Sequence, residues 1–146
     1  MAARVPRLTP RRRAEAEAAR RGRAELVAGC RRLVEGRDVD DGLVTVLGGP
    51  HARHVLVGGP RPDQEHWLRV WGLRGLLWVW DDAARDAVLT ALRDPAWRVR
   101  EMAVKVVARH HLGDAFPLVV AFGEDPSARV RTAATRAVIA LTRAAA

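Results

Sequence analysis

DPAWRVREMAVKVVAR (94–109) aligns without a gap on DPSARVRTAATRAVIA (125–140). The offset is 31 residues, and Asp94/Asp125, Pro95/Pro126, Arg98/Arg129, Val99/Val130, Arg100/Arg131, Ala103/Ala134 and Val107/Val138 are identical. A further step of 31 back reaches DQEHWLRVWGLRGLLW (63–78). There Asp63 and Arg69 hold, and Leu68, Gly72, Arg74 and Leu76 are conservative replacements. Three ungapped copies at one period are the mark of a repeat architecture, in which each unit buries its apolar side only against its neighbours.

Each copy reads as a helical pair. Asp81-Asp82 starts a first helix through Leu92, and Asp94-Pro95 starts a second through about His111. Gly113 turns the chain, a short first helix runs over Ala115–Phe122, and Asp125-Pro126 opens the last helix. Aspartate before the first turn is an N-cap signal, and proline at the first helical position fits beside it. The arginines at 69, 100 and 131 repeat with the aspartates and are read as partners between neighbouring units.

The pattern D-P-x-x-R-V-R-x-x-A-x-x-x-V at 94–107 and 125–138, and more loosely at 63–76, resembles the HEAT-repeat family in its short bacterial, PBS-lyase-type form. The resemblance covers about 55–141. It implies an all-α fold: a short right-handed α-solenoid of helix pairs, the second helices lining a concave inner surface. It also implies binding rather than catalysis. Most members bind proteins, some bind nucleic acid, and some short ones help attach chromophores as lyase accessories.

Outward from the repeats, residues 1–8 carry no pattern and are expected to be disordered. Residues 9–36 read as one basic helix: Thr9 caps, Pro10 starts, Gly36 stops. Its apolar stripe is confined to Leu26, Val27, Cys30, Leu33 and Val34, so its last three turns are expected to pack on the body and its first half to project or be loosely held. Residues 37–146 form the repeat domain, with this helix packed on it as a cap. Within 38–61, Asp40-Asp41 can cap a short helix through Leu47, and a hairpin of VTVL and HVLV competes with it; the repeat favours helix.

Register identifies the free face of the second helices. Positions 98, 102, 105 and 109 lie opposite the core positions Val99 and Ala103. They hold Arg98, Met102, Lys105 and Arg109 in the middle copy, and Arg129, Ala133, Arg136 and Ala140 in the last. In the first copy they hold Trp67, Trp71, Arg74 and Trp78. Side by side these make one surface graded from aromatic to cationic, and Trp and Arg are the residues most enriched at binding hot spots. The expected partner is another protein. The alternative is nucleic acid, with Arg11, Arg12, Arg13, Arg20, Arg21 and Arg23 of the arm on phosphates; that layout is similar to HEAT-like DNA-repair glycosylases. Two explanations of the tryptophans stand side by side. The N-terminal helix covers them as a packed seam, or a partner does.

Charge and composition set the limits. The net charge is +8, yet residues 1–37 carry +7 of it and residues 38–146 only +1. No apolar run approaches the ~20 residues that span a bilayer, so no membrane is expected. A single cysteine, with no apolar signal segment, fits a cytoplasmic protein. His51 and His54, and the adjacent His110 and His111, have no second pair at metal-ligand spacing, so no metal is expected. No catalytic set, phosphate loop or cofactor motif is seen. His110 and His111 at a helix C-terminus suit the helix dipole.

Overall fold

A computed structural model gives the architecture and describes residues 7–59 and 61–146. Of the stretch expected to be disordered, residues 1–6 lie outside the described residues, and so does Pro60 in the turn after residue 59. The described chain is all-helical: α1 (Pro10–Arg21), α2 (Arg23–Val34), α3 (Asp41–Gly48), α4 (Ala52–Leu56), α5 (His66–Trp78), α6 (Arg85–Ala91), α7 (Trp97–His110), α8 (Phe116–Ala121) and α9 (Ala128–Ala145). Helix, not hairpin, forms over 38–61. Among the described residues, no helix is long and apolar enough to cross a membrane.

Three long helices, α5, α7 and α9, start at residues 66, 97 and 128 and pack side by side. Behind them lie α2 on α5, α6 on α7 and α8 on α9. The core runs between the two layers through Leu26, Leu33, Leu73, Leu76, Val88, Val99, Val106 and Val130, all buried. α1, α3 and α4 gather at the α5 end. Sequence order is misleading here: α5 is backed by α2, not by the α4 that precedes it.

The basic stretch 9–36 is two helices rather than one. Thr9 caps α1 as expected, its hydroxyl accepting the Arg12 N–H at 3.2 Å. Gly22 then breaks the run with φ 94° and ψ 143°, a backbone region that favours glycine. The break lets the two halves take different supports. α2 lays Leu26, Cys30, Leu33 and Val34 on α5, where Gly72 and Gly75 let the helices approach. A Cβ on Gly72 would stand 2.8 Å from the Cys30 carbonyl oxygen, and one on Gly75 2.6 Å from Cys30 Sγ. The thiol is fully buried, and burial pushes its pKa up to about 12.

α1 does not project. It packs on α3 and α5, burying Ala14 and Glu17. Arg13 donates from Nε to the Val46 carbonyl at 2.9 Å, at the C-terminus of α3. Glu17 takes Arg20 and Arg21, and the Arg20 hydrogen bond leads the interactions that outweigh burial and hold its carboxyl below the usual range. The expected arm is therefore part of the body.

The repeated aspartates are not the helix caps that the sequence suggests. The residue after each of Asp94 and Asp125 is proline, which keeps its neighbour extended, so helix begins three residues after each aspartate, at Trp97 and Ala128. The caps are Ala96 at α7 and Ser127 at α9, and the Ser127 hydroxyl accepts the Val130 N–H at 3.4 Å. Asp94 and Asp125 instead accept the N–H two residues on, from Ala96 and Ser127, each at 2.9 Å. Their other task is the ladder: Arg69 grips Asp94 at 2.7 Å and Arg100 grips Asp125 at 3.0 Å, each through a two-pronged contact. Arg100 also donates to the Asp94 and Pro95 carbonyls, both at 2.9 Å. One guanidinium thus ties the entry of its own helix to the entry of the next.

Candidate binding face of α5, α7 and α9

Trp67, Trp71 and Trp78 occupy one side of α5 at helical spacing, and the structure separates their environments. Trp71 is 2 % exposed. Gly48 sits so close that a Cβ there would lie 2.9 Å from the Trp71 ring. The His51 ring is 5.8 Å away and Trp67 stacks at 6.0 Å. The cover is therefore the C-terminus of α3 and the turn after it. The apolar stripe of α2, expected to lie over the tryptophans, lies on Gly72 and Gly75 instead. Trp71 is a core residue and is removed from the binding set.

Arg74 is also drawn inward. Its guanidinium donates to the Leu47 carbonyl at 2.6 Å, so Arg74 and Arg13 together finish α3 at Leu47 and Val46. Burial lowers the Arg74 pKa, and the nearby Arg13 charge adds to the effect. Cations at a helix C-terminus satisfy open carbonyls and meet the negative end of the dipole.

Trp67 and Trp78 stay half-buried at the surface, and each carries an arginine from α7. The Arg98 guanidinium lies 5.2 Å from the Trp67 ring centre, and that of Arg109 lies 4.8 Å from Trp78. Each arginine touches the tryptophan at its own position one unit earlier. Arg98 also covers Trp97 at 4.3 Å, and Arg129 reaches that ring at 5.9 Å. Arg11 of α1 approaches Trp78 at 5.2 Å. The Trp78 indole N–H is buried without a partner among the described residues. Exposed cation–π pairs contribute about 0.5–1 kcal/mol each. Their larger effect here is to limit where each guanidinium can sit.

The face continues over α9. Arg98, Arg109, Arg129 and Arg136 are exposed; Met102 and Lys105 are half-exposed. Among these cations lies one carboxylate that the register argument missed. Glu101, 9 % exposed, accepts Arg129 at 3.1 Å and Lys105 at 3.2 Å. It lines a hollow of about 250 Å³ between α7 and α9 with Thr132, Ala133 and Arg136. Its position is one residue off the set 98, 102, 105 and 109, and in the other copies it is Val70 and Thr132. The only signal in the sequence was its i,i+4 spacing to Lys105.

Comparison with protein-family models, with curated proteins and with solved structures finds no match for this chain. The face must be interpreted from its own chemistry.

Of the six arm arginines, the structure brings one onto the face, Arg11. Arg13 and Arg21 are engaged on α3 and Glu17, Arg20 is paired with Glu17, and Arg23 donates to the Trp80 carbonyl at 2.9 Å. Arg12 is exposed. The histidines divide as well. His51 and His66 flank Trp67 at 5.1 and 5.0 Å. Burial lowers the His66 pKa, and the charges of Arg98 and Arg69 add to that. His110, in the last turn of α7, makes tertiary contacts as well. It donates from Nε2 to the Leu76 carbonyl at 2.8 Å and stacks on Trp80 at 4.4 Å. Burial outweighs that hydrogen bond and lowers its pKa, and the ring ties α7 to α5 through the Leu76 carbonyl.

Proposed function

We propose that this protein is a short HEAT-like α-solenoid that carries out no reaction and binds an acidic segment of a protein partner across α5, α7 and α9. The equal spacing of the starts of α5, α7 and α9, with α2, α6 and α8 behind them, supports the solenoid. The observation that carries the binding reading is the pairing of Trp67 with Arg98 and of Trp78 with Arg109. Aromatic bodies hold guanidinium groups at fixed places, and Arg129, Arg136 and Lys105 extend the row. Side-chain ordering is a main cost of association, and arginines already laid on rings have lost much of it. Both rings already carry an arginine from α7, which leaves less ring surface for a stack of bases than for contacts with a peptide.

Nucleic acid is the second reading, favoured by Arg11, which adds a cation from α1 beside Trp78. One experiment separates the two. Fluorescence anisotropy of a labelled poly-glutamate peptide and of a labelled DNA of matched charge is measured against wild type and Arg98→Glu/Arg109→Glu. The peptide is expected to bind, and the double variant to lose at least about tenfold, or about 1.4 kcal/mol. DNA binding tighter by that margin at near-physiological salt turns the assignment to nucleic acid. Absence of binding by either probe at low salt removes both.

A further inference from the structure

Among the described residues, one hollow on the α5/α7/α9 face is lined by basic side chains with no carboxylate among them. Lys105, Arg109, His111 and Arg136 surround a hollow of about 430 Å³ between the second halves of α7 and α9. Its depth comes from Ala133 and Ala140 on α9. By register these alanines stand where α5 carries Trp71 and Trp78, so the volume filled by indole at one end of the face is vacant at the other.

Among the described residues, no carboxylate lines this hollow. The nearest on the same groove, Glu101, is in the adjoining depression and is shared between Arg129 and Lys105. Among the described residues, Arg136 has no ion pair. Arg109 is held on the Trp78 ring at 4.8 Å. His111 is fixed by its backbone, a left-handed residue (φ 54°) whose N–H bonds to the Val107 carbonyl. Lys105 and Arg109 are one turn apart on α7, and like charges at that spacing destabilise a helix. Arg136 then adds a third from α9. Lys105 and Arg109 have partners on the far side, Glu101 and the Trp78 ring, so the third charge, Arg136, is the one that an anion in the hollow would offset.

We propose that the hollow binds a phosphomonoester, the phosphoryl group of a phosphorylated serine or threonine in the partner. This rests on the reading of the face as a docking surface for an acidic protein segment, and it names the group that anchors that segment. A phosphomonoester brings a charge of about −1.5 to −2 and three acceptor oxygens, which several donors from two helices can share. A carboxylate brings one charge and is satisfied by one arginine. A phosphodiester brings one charge and has chain leaving on both sides.

The test uses the full chain. Inorganic phosphate is titrated in at ionic strength matched with sodium chloride, and melting is followed by tryptophan fluorescence. Phosphate is expected to raise the melting temperature. Arg136→Gln is expected to weaken phosphate at least about tenfold while the free variant melts at or above wild type, because a repelled charge has gone. A melting shift no larger than that from chloride, or one unchanged in Arg136→Gln, overturns the proposal. A phosphoserine peptide is then compared with its serine and glutamate versions and with single-stranded DNA. Preference for phosphoserine over all three supports it. Equal binding of the glutamate peptide overturns the phosphoryl assignment and leaves the acidic-segment reading standing, and tighter DNA binding overturns both.

Discussion

Trp71→Ala is expected to lower the unfolding free energy by about 3–5 kcal/mol, the range for an aromatic ring removed from a core. The ring is 2 % exposed and fills the contact between α5 and the end of α3, where even a Cβ on Gly48 would be 2.9 Å from it. The cavity cannot close easily. Arg74 and Arg13 tie the C-terminus of α3 to α5 and α1 through the Leu47 and Val46 carbonyls, so α3 is not free to settle into the gap. Trp67→Ala is the contrast. That ring is half-buried under Arg98, and its loss is expected to cost about 1–2 kcal/mol, well below a core truncation, while weakening poly-glutamate binding. Urea unfolding of both variants, read beside anisotropy, checks the pair. A Trp71→Ala protein within about 1 kcal/mol of wild type would show that the indole is not a packed residue.

Asp125→Ala is expected to cost about 3 kcal/mol. Breaking a buried ion pair from one side leaves the other charge without compensation, typically about 3–5 kcal/mol. The side chains of Arg100 and Asp125 are 14 % and 5 % exposed, and the remaining access of the guanidinium to water puts the effect at the lower end. The aspartate also supports the entry of α9 by accepting the Ser127 N–H. Its pKa gives the pH dependence. Burial alone would raise it, but the hydrogen bonds from Arg100 and the Ser127 N–H outweigh burial and hold the carboxyl below its ordinary value. A carboxylate lowered in the folded state binds protons more readily when unfolded. Its contribution is therefore complete above the unfolded value of about 3.9 and is lost as pH falls through the folded value. Wild type is expected to lose stability below about pH 4, and Asp125→Asn to lose less over the same interval. Urea midpoints at neutral and acid pH compare the two.

Three parts of the fold were open to sequence. The helices α5, α7 and α9 were among them, because their apolar spacing and the turn residues before them are local signals. The arginine–aspartate ladder was visible because its residues recur at fixed offsets. The register of the face was also readable, and Trp67 with Arg98 and Trp78 with Arg109 meet as that register requires. Other parts depended on long-range packing. A lone glycine in an Ala/Arg/Glu run is compatible with a continuous helix, and only the position of α3 and α5 decides that Gly22 turns the chain. What covers Trp71 was equally hidden. The stripe on α2 fits the tryptophans and the glycines of α5 about as well by hydrophobicity, and close approach at Gly72 and Gly75 decides between them. Glu101 was missed because a carboxylate between two cations looks, in sequence, like a solvated helix pair.

Cys30 is the chain's single cysteine, sealed between α2 and the glycines of α5. With a pKa near 12, it has almost no thiolate at neutral pH even when a reagent is present. Any labelling therefore waits on an opening that parts α2 from α5 and returns the sulfur to water. The thiol is in effect a clock built into the seam. Its modification rate, divided by that of an exposed cysteine, counts the fraction of time the first pair stands apart, with no substitution introduced to see it.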